Sequence, residues 1–193
     1  MASHRPGRPD GRVGAEHLTA VGALAVAEAA GEVAGLDAAI RWPNDVTVRG
    51  LKLAGVLVER RGSEGSAPCV VGVGLNVNVA RDEFPEGLRA TATSLAAEAG
   101  REFAREDVAA VLLRRLEARY VDACSGRWPD VAVSWRARCS LLGDTIEVES
   151  DGQRLRGRVV EADPLTGLEL ELSDGRRHVC RPDAGSLALA RGE

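Results

Sequence analysis

Basic charge is not in excess in this sequence: 25 Lys and Arg residues stand against 29 Asp and Glu, a formal net charge of −4 over 193 residues. That balance offers no field for a phosphate backbone and argues against a nucleic-acid partner. Paired cysteines are missing as well. Cys69, Cys124, Cys139 and Cys180 are scattered without a C-x-x-C, so neither a zinc site nor a disulfide framework is signalled, and thiols in a reducing cytosol are expected. No apolar run approaches the length of a membrane span. The opening MASHRPGRPDGR carries charge and turn residues but no apolar h-region, so the expected location is cytoplasmic. G-x-S-x-G does not occur, and His4, His17 and His178 lie near no Ser or Cys nucleophile signature, which leaves hydrolase triads without support. No repeat of solenoid length is visible.

Residues 1–14, dense in Arg, Pro and Gly, read as a disordered lead. From His17 to Val33, Ala, Val and Leu are so frequent that the expected helix is apolar around most of its circumference, with Glu28 and Glu32 outward. Strand signals follow at Ala39 to Trp42 with Val46 to Val48, at Leu51 to Glu59, and at Val70 to Val79. Arg49-Gly50 suits a tight hairpin, and Arg61 to Pro68 a polar loop, so the sheet should be mostly antiparallel. Helical spacing returns at Ser94 to Ala99 and from Glu106 to Cys124, where Val108, Val111, Leu112, Leu116 and Tyr120 form a core stripe. The other side of that helix reads as a solvated charged face. Pro129 fits the first turn of a further helix ending near Arg138, with Trp135 as a packing residue. Beyond Leu141, short alternating runs divided by Asp151-Gly152, Asp163-Pro164 and Asp174-Gly175 suggest five strands in a small barrel.

Two stretches carry candidate chemistry. In RWPNDVTVRGLKLAGVLVE, from Arg41 to Glu59, Pro43 ends a strand, Asn44 and Asp45 follow it, and Lys52 opens an otherwise apolar strand. A hairpin would set Asp45 beside Lys52, where the pair could hold a metal–phosphate complex and neutralise oxygen charge; a turn Asp and an exposed strand-end Lys would look the same. In VVGVGLNVNV, Gly72 and Gly74 face one side of a strand. The slot they leave suits a flat ligand with Asn76 at its edge, or equally a strand thinned for a crossing helix or bent at a bulge. G-x-G here runs on as strand, with Val77 at the sixth position of a G-x-G-x-x-G, so dinucleotide binding is not expected.

Taken together, W-P-N-D, a hairpin, K-L-A-G-V-L-V-E and V-G-V-G-L-N resemble the central motifs of biotin–protein ligases. The likeness extends to Gly157 to Val160, Asp163 to Leu172 and Gly185 to Leu189, which are similar to that family's C-terminal SH3-like barrel. The resemblance implies an α+β fold: a partial class II synthetase-like mixed or antiparallel sheet with packed helices over 15–139, then the barrel over 140–193. It also implies ATP-dependent, Mg2+-assisted conversion of biotin to biotinyl-AMP and transfer to a lysine of a carboxylase's biotin carrier domain. By position, Lys52 resembles the lysine that contacts biotin's carboxylate and the adenylate. Asp45 resembles the acidic residue beside the phosphate, its Mg2+ and the incoming lysine. Asn44 and Asn76 resemble adenylate contacts, and Gly55, Leu57, Gly72 and Gly74 the lining of the biotin slot. Lipoate or octanoate transfer is disfavoured by the biotin-type W-P-N-D and K-L-A-G.

Family members carry a Ser-Thr-Asn segment and an Arg/Gly-rich adenylate loop before the first helix found here. The lead RPGRPDGR matches neither, so the chain reads as N-terminally shortened, and no helix-turn-helix for DNA binding is expected. An inactive remnant that binds a carrier domain or a separate N-terminal chain is the alternative. An exposed sheet edge would favour a homodimer or such a complementing chain.

Overall fold

A computed structural model describes residues 13–60, 68–150, 153–181 and 190–191. Residues 1–12 of the lead, 61–67 of the polar loop, the Asp151-Gly152 turn and the Gly185 to Leu189 segment lie outside them.

The first helix, α1 (Ala15–Ala34), buries Ala20 to Ala27 almost without interruption, as its all-round apolar pattern requires, and stops at Gly35, whose φ of 67° is a left-handed C-cap. It packs on one face of a four-stranded antiparallel sheet of order β1-β2-β3-β4, formed by Ala39–Arg41, Asp45–Val48, Leu51–Arg60 and Cys69–Leu75. The contact with β3 is close: a β-carbon on Gly22 would lie 2.8 Å from Val56 Cγ1. Arg49 (φ 52°) and Gly50 (φ 81°) both have positive φ, the type I′ pattern that matches the twist of a two-residue hairpin.

After the sheet come α2 (Leu95–Ala99), capped by the Ser94 hydroxyl, then α3 (Arg105–Cys124) and α4 (Trp128–Arg136), which buries Trp135 completely. The strand expected to reach Val79 ends at Leu75. Beyond it the carbonyls of Asn76 and Val77 accept from Leu95 N and Ala96 N, so the chain leaves the sheet to cap α2. Tyr120, expected in the core stripe of α3, is 47% exposed, and the core side is supplied by Val108, Leu112 and Leu116. The charged side of α3 is not simply solvated. Arg119 pairs with Glu28, whose side chain is only 9% exposed, while Arg114 and Arg115 pair with Glu32. Glu28 therefore faces α3 rather than solvent, and its carboxylate raises the Arg119 pKa further.

Five strands close the chain, β5 (Thr145–Ser150), β6 (Gln153–Asp163), β7 (Gly167–Leu172), β8 (Arg177–Cys180) and β9 (Ala190–Arg191), in the antiparallel order β8-β7-β6-β5-β9. Among the described residues the end strands β8 and β9 are not paired with each other, so the expected barrel is here an open sheet. Gly157 and Gly167 are dictated by packing: a β-carbon would fall 2.8 Å from Glu171 O at the first and 1.9 Å from Cys180 O at the second. Asp163 Oδ1 accepts from Leu165 N and Thr166 N, which shapes the β6–β7 turn. The sheet's core residues Ile146, Val148, Val159, Leu168 and Leu170 belong to one apolar cluster with those of the first sheet. Among the described residues no helix is long and apolar enough to cross a membrane.

Candidate active site

The register of the first sheet assigns its residues to two faces. Ala54, Val56 and Val58 of β3 pair with Leu75, Val73 and Val71 of β4 on the side against α1. On the opposite side Gly55 pairs with Gly74 and Leu57 with Gly72, while Asp45 of β2 pairs with Gly55 and Arg41 of β1 with Asp45. A single row, Arg41–Asp45–Gly55–Gly74, thus crosses the sheet on its outer face.

Strict alternation would put Lys52 on the other side, with Ala54 and α1. It escapes because the β2–β3 register shifts at this point: Val46 pairs with Ala54, but Thr47 pairs with Lys52, which leaves Leu53 as an extra residue. The bulge turns Leu53 inward, 0% exposed, and Lys52 outward to join Gly55 and Leu57. It is held from the flank. Lys52 N donates to Thr91 O at 2.7 Å, and Thr93 N donates to Lys52 O at 2.8 Å.

Lys52 Nζ reaches Asp45 Oδ1 at 2.6 Å, with the two side chains 52% and 29% exposed. The pair lies over Gly55, where a β-carbon would come within 3.4 Å of Asp45 Oδ1 and of Lys52 Cε. The structure therefore brings together the two residues expected to carry the chemistry, and a glycine beneath them makes the room. An ion pair this open contributes little to stability. Its value is a fixed positive charge and a carboxylate at one place on the surface.

Gly72 and Gly74 continue the floor. Neither has a positive φ, and β-carbons there would meet only Leu57 O at 3.6 Å and Gly55 O at 3.9 Å, which are ordinary contacts. The β3–β4 register runs without a shift from Ala54↔Leu75 to Arg60↔Cys69, so no bulge explains these glycines, and α1 lies on the other face. Leu57, 60% exposed, stands beside them as an apolar wall. Such an open, part-apolar face with a glycine floor and a polar pair at one end suits a small flat molecule.

The asparagines serve the frame. Asn44 Nδ2 donates to Val56 O at 2.9 Å while Asn44 O accepts from Val56 N, extending the β2–β3 pairing beyond Asp45. Asn76 Nδ2 donates to Thr93 O at 2.9 Å, tying the end of β4 to the strip that holds Lys52. Among the described residues no group of three or more His, Cys, Asp or Glu could hold a metal ion, so Asp45 stands as a single carboxylate. A shallow cleft of about 360 Å³ between α1 and α3, lined by charged residues including Glu28, Glu32 and Arg115, includes none of these residues.

Sequence reasoning missed the 91–93 strip and the bulge. The apolar doublet Leu53-Ala54, which breaks the alternation after Lys52, was the signal for the bulge. Nothing local marked Thr91 to Thr93, because their role depends on a contact made across forty residues.

The Biotin/lipoate A/B protein ligase family model matches residues 8–76. The bifunctional ligase/repressor BirA of Bacillus subtilis is 30% identical over 167 residues, covering 86% of this chain and 51% of that protein. The biotin–[acetyl-CoA-carboxylase] ligase of Mycobacterium tuberculosis is 40% identical over 117 residues, covering 60% of this chain and 40% of that protein. The chain spans about half the length of the curated relatives it matches, at 51% and 40% of these two. In three dimensions, the biotin protein ligase from Aquifex aeolicus solved with biotin and ATP superposes with a TM-score of 0.80 at 23% identity, over 96% of this chain and 76% of that one, and so shares the fold.

Proposed function

The chain belongs to the biotin–protein ligase family, and from that premise we propose that it activates biotin with ATP to biotinyl-AMP and transfers the biotinyl group to a lysine of a carboxylase's biotin carrier domain. The observation that carries the proposal is the Lys52–Asp45 pair set by a bulge beside a glycine-floored strand face.

Biotin's ureido ring and aliphatic tail lie along Gly55, Gly72 and Gly74 against Leu57, a path that β-branched side chains would block. The Lys52 ammonium then meets the carboxylate end. In the first step a carboxylate oxygen bonds to the α-phosphorus and pyrophosphate leaves; in the second the carrier amine bonds to the acyl carbon and AMP leaves. Charge develops on oxygen in both, and a preformed cation stabilises it without reorganisation. Asp45 draws the incoming lysine toward the acyl carbon, and Asn44 and Asn76 border the adenylate.

A single carboxylate together with substrate phosphates and water is an ordinary ligand set for magnesium. Asp45, part-exposed beside Lys52, fits that role for an ion arriving with the nucleotide, where it would neutralise phosphate charge. In the same reading the five-stranded C-terminal sheet is an SH3-like unit beginning near residue 140, following a catalytic unit from about residue 15. The outer edge of β4 is where a second copy or an N-terminal chain would add.

Labelled biotin, Mg-ATP and a purified carrier domain test the proposal. The chain is expected to label the carrier, and Lys52→Ala to reduce labelling on the order of a hundredfold or more. A folded chain that transfers nothing, or a Lys52→Ala variant that transfers normally, overturns it.

A further inference from the structure

Glu98 is a buried charge that the proposed chemistry does not use. It lies on the short helix α2, and its side chain is 0% exposed although both its arginine partners are on the surface. One carboxylate oxygen, Oε1, accepts from Thr93 Oγ1 at 2.7 Å and from Arg81 Nη2 at 3.3 Å. The other, Oε2, lies 3.3 Å from Arg49 Nη1 and makes no aligned hydrogen bond, so it is held by the charge of that guanidinium. A carboxylate is costly to bury, and one retained with this set of partners fixes them in return.

Those partners converge on Lys52. Thr93, itself 0% exposed, donates its N–H to the Lys52 carbonyl. Thr91, two residues earlier, accepts the Lys52 N–H. Arg49 is the first residue of the two-residue hairpin turn, three positions before Lys52, and sits at a φ of 52° that non-glycine residues seldom adopt. Arg81 brings in the loop that follows β4. One carboxylate thus grips the turn, the flanking strip and the loop around the point where the extra residue Leu53 inverts the strand.

We propose that Glu98 is a positioning residue for Lys52: its carboxylate clamps Arg49 and Thr93 so that the β3 bulge holds and the Lys52 ammonium stays on Asp45. Glu98 touches no substrate and acts through the backbone of the strip and turn. The inference rests on the reading of Lys52 given above for its catalytic consequence, while its structural part can be measured independently of turnover.

The experiment uses the whole chain, in the forms wild type, Glu98→Gln, Glu98→Asp and Arg49→Gln. Hydrogen exchange of the Lys52 amide and competitive acylation of the Lys52 amine report its placement directly. Glu98→Gln is expected to speed exchange at Lys52 about tenfold or more while the amides of Val56 and Gly72 keep their protection. It should also lower kcat for carrier labelling on the order of ten- to a hundredfold, with KM for biotin moving less than about threefold. Glu98→Asp should recover part of both losses, and Arg49→Gln should reproduce the exchange effect even if Glu98→Gln fails to fold. Unchanged exchange and acylation at Lys52 in folded Glu98→Gln, or in Arg49→Gln where the first does not fold, overturns the proposal. A wild-type chain that labels no carrier removes the ligase reading, and the Lys52 exchange data then judge the clamp alone.

Discussion

The two faces of the first sheet are built from the same strands yet obey different constraints. On the α1 side, Ala54 and Val56 are 2% and 1% exposed, and Gly22 is a glycine because Val56 leaves no room for a β-carbon. On the outer side, Gly72 and Gly74 have room for one, with ordinary contacts at 3.6 and 3.9 Å. The inner face is explained by the chain's own packing. The glycines of the outer face are not explained by packing among the described residues.

Substitutions can break this contrast. The largest effect is expected at Leu53, which belongs to both faces at once because its buried side chain anchors the bulge that exposes Lys52. Leu53→Ala should cost about 2–5 kcal/mol of stability in urea unfolding and lower carrier labelling as well. A matched pair sharpens the comparison. Gly22→Val should cost about 1–3 kcal/mol by overpacking, whereas Gly72→Val should change stability by no more than about 0.5 kcal/mol. Calorimetric titration with biotin should nonetheless find Gly72→Val unable to bind. Equal destabilisation by the two valines would erase the distinction between the faces.

The smallest effect concerns charge on the helical side. Arg115 first, then Arg114, hold the Glu32 carboxyl below its ordinary value of 4.5. A pKa depressed on folding contributes stability above the unfolded value, and that contribution is lost as pH falls through the lower folded value. Glu32→Gln should therefore have a slightly lower Tm than wild type at pH 7. The two Tm curves should converge as the pH is taken down from about 5 to 3.

Much of this architecture was legible before the structure. The three-and-four spacing of Val108, Leu112 and Leu116 gave α3 its inner stripe, the density of Ala and Val gave α1 its burial, and Arg49-Gly50 gave the hairpin that brings the Asp45 and Lys52 side chains together. Local patterns determine local elements, and these were of that kind. Tyr120 was misplaced because successive four-residue steps overshoot the helical turn and drift off the buried face, which continues at Ala123 instead. Glu28 was read as outward because a carboxylate's partner, here Arg119, lies 91 residues away. The termination of β4 at Leu75 was hidden for the same reason: Val77 and Val79 have strand chemistry, but the backbone of 76–77 is needed at the N-terminus of α2. For the site, residue types and spacing marked Asp45, Lys52 and the glycines as candidates with plain structural alternatives, and only the family resemblance gave them roles. The bulge, the 91–93 strip and Glu98 became visible only with tertiary contacts.

The extra residue at Leu53 also makes the site a matter of parity. Along a strand every position is odd or even with respect to the sheet, and Lys52 is on the solvent side only because one additional residue has been counted between it and Ala54. Substitution cannot alter that count, but insertion or deletion of a single codon would, sending the ammonium toward α1 and an apolar side chain into its place. Between the hairpin and Ala54, a change in chain length therefore alters the register in a way that no substitution does.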